Sequence, residues 1–226
     1  TYEFQDDKNY LNVSAAMFEN LTVEDSEKTR FEYSLPNILF ERNLFTGDKT
    51  GVFDIRSNAF VRNYKVDQTT KFWVNDINWQ SNPFVSLRGI QNKFKGLFKI
   101  VNYEADNAEK YKTDGLNSEA SAALAYSAKL PLSKKNDSRG TINFLTPQFS
   151  VRHAPGHMRN IQDDELKLNY SNLFALNKNS QPDVIEEGTS AIMGLEISNN
   201  NWKDGTPGDK NYSLSIGQIY NFNENS

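Results

Sequence analysis

Alternation of apolar and polar residues with a period of two runs through almost the whole chain, and the 3.6-residue period of an amphipathic helix is nearly absent. The clearest case is Val52–Val66. Phe53, Ile55, Ala59 and Val61 fall on one face of an extended chain, and Asp54, Arg56, Asn58 and Arg62 fall on the other, because successive side chains of a strand point to opposite sides. Past a short Asp67-Gln68 turn, Lys71–Gln80 repeats the pattern, with Trp73, Ile77 and Trp79 set against Asp76, Asn78 and Gln80. These runs predict a hairpin whose polar face carries too much charge for a dry core. One face must be wet.

The same signal predicts strands over Tyr10–Val23, Phe31–Leu44, Phe84–Tyr103, Ile142–His153 and Glu165–Phe174, and two more that end near Trp202 and Phe222. In Phe84–Tyr103, Ile90, Phe94, Phe98 and Ile100 oppose Gln91, Lys93, Lys95 and Lys99. Ser118–Leu130 is Ala-rich, so helix is a rival there by propensity. Strand is favoured because Leu124, Tyr126, Ala128 and Leu130 alternate with Ser127 and Lys129 before Pro131. Loops are expected at Glu24–Arg30, Thr46–Asp48, Glu104–Asn117, Ser133–Gly140, Asn177–Asp183 and Lys203–Lys210. Pro36 and Pro147 interrupt two strand runs and are expected at bulges or strand ends, where a missing N–H does least harm.

Many runs reach the roughly 9–11 residues that a tilted strand needs to cross a bilayer, against about 5–6 for an ordinary soluble strand. Connections alternate between very short (Asp67-Gln68) and long polar (Glu104–Asn117, Ser133–Gly140), the asymmetry expected of the two rims of a transmembrane barrel. The expected fold is therefore all-β, an antiparallel up-and-down meander forming part of a large transmembrane β-barrel. A soluble β-sandwich is the rival.

Composition narrows the partners more than the fold. Only 37% of the 226 residues are hydrophobic, yet 12% are aromatic, and mean hydropathy is −0.69. That pairing suits strands with one apolar and one wet face. A net charge of −4 offers no basic field to draw nucleic acid. With no Cys there is no disulfide or thiolate metal site. No apolar run approaches the roughly 18 residues of a membrane helix. The start at Thr1 and the polar end NENS suggest a piece of something longer.

Catalytic chemistry finds little footing. The two histidines, His153 and His157, flank Pro155 and Gly156, which exclude the helix that would make an i, i+4 zinc pair. With Asp163 and Asp164 they could still hold a metal from a loop, or form part of a hydrolase site, but polar loop residues explain them more simply. Asp163-Asp164-Glu165 and Glu186-Glu187 are paired carboxylates of the kind acid–base chemistry uses. Surface turns explain these too. No nucleophile elbow, phosphate loop or dinucleotide fingerprint is present. No catalytic residue, metal or cofactor is expected. Trp73, Trp79 and Trp202 suit either a carbohydrate platform or an aromatic girdle at a membrane interface.

One ordered set of phrases goes further. LTPQFSVRHAPGHMRN (Leu145–Asn160) is followed by Asp163-Asp164, YSNLF (Tyr170–Phe174), EEG (Glu186–Gly188), Gly194 and IGQIY (Ile216–Tyr220), with YSLPNILFERNLF (Tyr33–Phe45) upstream. This order resembles the barrel domain of the outer-membrane lipopolysaccharide-assembly family, LptD (organic solvent tolerance protein), over roughly Phe31–Phe222. The residues that carry the resemblance are Pro36, Pro147, Pro155, Gly156, Asp164, Asn172, Leu173, Phe174, Glu187, Gly188, Gly194, Gly217 and Gln218. The resemblance implies a non-enzymatic role. The barrel takes lipopolysaccharide from periplasmic bridge proteins and delivers it to the outer leaflet of the Gram-negative outer membrane, with a lipoprotein (LptE) plugging the lumen. On this reading residues 1–226 are a single segment of the barrel wall, its periplasmic domain and closing strands lying outside. Asp54, Arg56, Asn58 and Arg62 would face the lumen. Gly188, Gly194 and Gly217 would relieve crowding or permit bends, and Glu187 and Gln218 would bond into the lumen or a loop base. Another outer-membrane barrel, such as a porin or transporter, remains the alternative within the same fold.

Overall fold

The computed structural model describes residues 1–19, 31–64, 68–108, 111–112, 115–156, 168–179, 181–203 and 205–222. They form one antiparallel sheet. Its strands are β1 (Tyr2–Gln5), β2 (Asn9–Glu19), β3 (Phe31–Gly47), β4 (Gly51–Tyr64), β5 (Gln68–Gln80), β6 (Phe84–Val85), β7 (Gln91–Asp106), β8 (Asn117–Lys129), β9 (Leu132–Asn136), β10 (Thr141–Ala154), β11 (Gly188–Lys203) and β12 (Thr206–Asn221). Each long strand pairs with its neighbours in the chain, so the meander runs β1-β2-β3-β4-β5-β7-β8-β10-β11-β12, with β6 on β7 and β9 on β10. β8 and β9 act as one strand broken at Leu130-Pro131, since both pair along β10. β1 and β12 do not meet, so the sheet is open.

Registers fix the faces, because directly paired residues of an antiparallel ladder share a side. One continuous row joins Ile55 to Ile77 and Ile77 to Phe98, and beyond the Ser57–Asn75 pair another joins Ala59 to Trp73. Farther along, Leu124 pairs with His153, and Met193 with Phe149. On this same face Trp73, Phe98, Leu124, Met193, Leu214, Ile216 and Tyr220 are all exposed, Trp73 at 55% and Met193 at 60%. The opposite face joins Arg56 to Asp76, Asp76 to Lys99, Lys99 to Ser121, and Arg152 to Ser190. Here Lys99 is 2% exposed and Arg152 1%. This face buries charged groups beside apolar Phe60, Phe72 and Val101, while the other leaves large apolar groups bare.

The prolines lie where ladders fail. Pro36 lies in the register shift between Ser34 and Asn37. The Pro147 carbonyl accepts from Leu130 N–H at 3.0 Å, so its missing N–H faces the break between β8 and β9.

Several loop expectations change. Leu168–Phe174, expected to be the end of a strand, is a turn, and residues 165–167 lie outside the described residues. The expected loop Ser133–Gly140 is β9 plus a tight turn, closed by Gly140 in the left-handed region. The expected Lys203–Lys210 loop shrinks, since β11 runs through Lys203 and β12 starts at Thr206. Glu104–Asn117 is not simply solvated: β7 continues to Asp106, Ala108 is buried, and Tyr111 packs edge-on to Phe72 at 5.2 Å. The turn Glu24–Arg30 lies outside the described residues.

The rims also sort differently. The strand ends Gln5/Asn9, Gly47/Gly51, Gln80/Gln91, Asn136/Thr141 and Lys203/Thr206 share one rim; Glu19/Phe31, Tyr64/Gln68, Asp106/Asn117 and Ala154/Gly188 share the other. The Tyr64 and Gln68 strand ends therefore lie on the same rim as those of Asp106 and Asn117, and the 137–140 turn lies opposite. Each rim mixes short and ten-residue links, so the expected asymmetry does not follow from these connections; the longest of them is 155–187.

Candidate functional site

The described part of that longest connection does not stand away from the sheet. It folds down onto the polar face, and the sequence shows how. Asn169 and Asn172 cap each other: Asn172 Oδ1 accepts from Asn169 N–H at 2.9 Å, and Asn169 Oδ1 accepts from Asn172 N–H at 3.1 Å. Asx side chains mimic backbone in this way and close tight turns. The turn presents Tyr170, Leu173 and Phe174 to the sheet.

What receives them is a cross-strand pair of glycines, Gly194 of β11 opposite Gly217 of β12. A Cβ on Gly194 would stand 2.8 Å from the Phe174 ring and 3.2 Å from Tyr170 Oη, and one on Gly217 would collide with Leu173. Neither glycine has a positive φ, so it is space, not backbone freedom, that requires them. Gln148 Nε2 donates to Tyr170 Oη from the next strand. Burial raises the Tyr170 hydroxyl above its ordinary pKa, an effect the Gln148 bond partly opposes.

The rest of the loop is held by buried cations. Lys95 Nζ donates to the Phe174 carbonyl at 3.3 Å, Arg152 Nε to the Leu176 carbonyl at 2.5 Å, and Lys99 Nζ to the Pro182 carbonyl at 2.5 Å. Arg152 also donates to the Glu186 carbonyl. Lys99 is ion-paired with Asp76 at 2.6 Å, and Lys178 with Glu186 at 2.6 Å. Burial lowers the Lys178 ammonium below its usual range, and Glu186 pulls it back up. Leu176 and Ile185 then fill the gap over Leu97, Ala123 and Ala154. Asn177 Nδ2 ties the loop to itself through the Val184 carbonyl at 2.8 Å.

The two ends of the connection meet where β10 and β11 leave the sheet. Ala154 pairs with Gly188, Pro155 and Gly156 follow, and Glu187 Oε2 lies 3.4 Å from where a Gly156 Cβ would be. Gly188 has φ +100° and open space around it, so it is a backbone hinge. Asp164, with His157 and Asp163, lies outside the described residues.

Of the residues expected to be functional, Leu173, Phe174, Gly194 and Gly217 are brought together, with Asn172 shaping the turn. Asp54, Arg56, Asn58 and Arg62 share the polar face. Asp54 accepts from Asn43 Nδ2 at 3.0 Å, Arg56 pairs with Glu41 at 3.3 Å, and Arg62 lies over the Phe60 ring at 5.9 Å. Gln218 is a correction. It pairs with Met193 and is exposed on the apolar face, because it follows Gly217 and the period of two turns it outward. Tyr170, Lys99, Arg152 and Lys178 were missed; for Lys99 and Arg152 a cation on the inward phase of a strand was the available signal.

His153 Nδ1 lies 2.8 Å from Thr189 Oγ1, a cross-strand pair. Among the described residues no group of three or more His, Asp or Glu is placed to hold a metal ion. Trp73 Nε1 donates to Ser57 at 2.9 Å and Trp79 Nε1 to the Thr50 carbonyl at 2.8 Å, while Trp202 lies at the rim opposite the 155–187 connection with Lys135 5.2 Å from its ring. With a single sheet among the described residues, Trp73 and Trp79 stand on an uncovered face and not in the mouth of a sandwich. No family model matches this sequence, and a search of the curated proteins finds no match.

Proposed function

We propose that this chain forms part of the wall of a large outer-membrane β-barrel that carries lipopolysaccharide to the cell surface. The observation that carries the membrane part is the bare apolar face. Leaving Trp73, Phe98, Leu124, Met193, Leu214, Ile216 and Tyr220 half in water forgoes about 5–10 kcal/mol, which rivals the whole net stability of a domain, about 5–15 kcal/mol. Lipid on that face removes the cost. The strands are long enough: β7 has 16 residues, roughly 50 Å at about 3.3 Å per residue, and still crosses the ~25 Å apolar band of a barrel when tilted. Aromatic side chains gather toward the rim opposite the 155–187 connection, where Phe53 neighbours Trp79 and Phe94 lies between Phe84 and Tyr126, as in an interfacial girdle. The unpaired edges of β1 and β12 are where further strands would close the wall.

The lipopolysaccharide part is supported by the ordered motifs resembling LptD. Phrases separated in sequence, YSNLF, Gly194 and the Gly217 strand, assemble into one docking site on the polar face. On this reading the loop narrows the lumen and the wall does no bond chemistry. Depletion of the full-length protein should remove lipopolysaccharide from the cell surface while porins remain folded. Unchanged surface lipopolysaccharide would sink the assembly role and leave a general outer-membrane transporter, whose lumen an inward loop would equally constrict.

A further inference from the structure

On the polar face near residues 81–90, β7, β8 and β10 enclose a cavity of about 320 Å³ lined by Lys93, Lys95, Lys129, Gln91, Gln148 and Phe174 among others, and by no carboxylate. Arg56 is ion-paired with Glu41, Lys99 with Asp76 and, in the docked loop, Lys178 with Glu186, whereas Lys93, Lys95 and Lys129 have no ion pair among the described residues. Lys93 Nζ donates to Gln80 Oε1 at 2.7 Å and Lys95 Nζ to the Phe174 carbonyl at 3.3 Å, which leaves ammonium N–H groups of each without an acceptor among the described residues. Three lysines lining one hollow, walled by low-dielectric strands, focus a positive field inside a chain of net charge −4. Phosphate offers the charge and the several acceptor oxygens that such a set of donors fits.

We propose that Lys93, Lys95 and Lys129 form a binding site for a phosphate group, with the Phe174 corner of the docked loop as one wall. The ligand is either a phosphorylated lipid headgroup or free phosphate. The headgroup version rests on the proposed transport role. In that wall the cavity lies at the rim opposite the longest connection, the periplasmic side of a barrel, where cargo would enter.

The test uses the full-length protein in detergent micelles, with inorganic phosphate as probe, followed by calorimetric titration. Saturable binding is expected, weakened about tenfold or more in Lys93→Gln/Lys95→Gln/Lys129→Gln, retained in Lys95→Arg, and unchanged in Lys134→Gln/Lys203→Gln, two exposed lysines of the same rim. No binding by the unaltered protein, or equal binding by the triple variant with its heat-modifiable migration intact, would overturn the site. A phosphorylated glucosamine lipid added to the micelles then displaces phosphate if the ligand is a headgroup and leaves it bound if the ligand is a free anion. Quenching of Trp73 by brominated lipid, which involves none of the three lysines, tests the membrane wall separately.

Discussion

At the scale of single residues, two glycines decide whether the loop docks. Gly194→Leu drives a side chain into the space now held by Phe174 and Tyr170, and overpacking of this kind costs about 1–3 kcal/mol. The loop is the less firmly held partner, so Leu168–Phe174 should undock before the β11–β12 ladder opens. Faster amide exchange in the turn, with the ladder still protected, would show it. Adding Phe174→Ala should restore part of the protection; if it does not, the collision is elsewhere. Asp6 offers a pH handle at the other end of the chain. Its carboxyl accepts from Asn9 Nδ2 at 2.9 Å, and its Oδ1 also from Lys8 N–H at 2.8 Å and Asn9 N–H at 2.7 Å; the Asn9 side chain first, and then these backbone bonds, hold it below the usual carboxylate range. A depressed carboxylate pKa adds stability that is present above the unfolded value, near 3.9, and is lost as pH falls through the lower folded value. The β1–β2 turn should therefore fray selectively in that acid window, and Asp6→Asn should remove the pH dependence of exchange at Lys8 and Asn9. None of this was legible from spacing alone. Glycine in a strand signals a close approach, but only the folded loop says what approaches.

Among elements, the strands were far more legible than the connections. The face assignment of Val52–Gln80 follows directly from alternation, since every ladder pair inherits it. What alternation misreads is a polar face with apolar members in phase: Phe60, Phe72, Val74, Val101 and Tyr103 share the side of Asn58 and Lys99 and pack under Tyr111. Loops were misread because their structure comes from the surface they land on. The stretch Asn177–Asp183 reads as a plain polar loop until the buried Lys99 beneath it supplies a partner for the Pro182 carbonyl. The Lys178–Glu186 pair belongs to this scale, because it joins the two arms of the loop. Breaking a buried pair from one side leaves an uncompensated charge and costs about 3–5 kcal/mol. Lys178→Met should loosen the whole of 168–187 by roughly that amount, and Lys178→Met/Glu186→Gln by clearly less than the sum of the single changes. A double-mutant cycle on loop protease resistance measures the difference, and additive effects would mean the pair does not hold the arms together.

For the molecule as a whole, the question is what solvates each face, and the two faces make opposite demands. Face identity can be tested without knowing the cargo. Ile55 lies on the apolar side between Arg42 of β3 and Ile77 of β5, while Arg62 lies seven positions along the same strand on the polar side. If lipid covers the apolar side, Ile55→Lys brings a cation into hydrocarbon and costs about 2–4 kcal/mol near mid-depth, falling toward zero at the interfaces. If water covers it, the same change replaces a half-buried apolar side chain beside water and is close to neutral, within about 0.5 kcal/mol. Arg62→Leu makes the reverse comparison, since its polar face is wet in either case and the change should be small in both. Denaturant unfolding of the full-length protein in lipid vesicles separates these outcomes. A penalty at position 55 that grows in bilayers of greater hydrocarbon thickness, with none at position 62, is the signature of a membrane-facing wall, because only depth within lipid makes the cost of one charge depend on the bilayer around it.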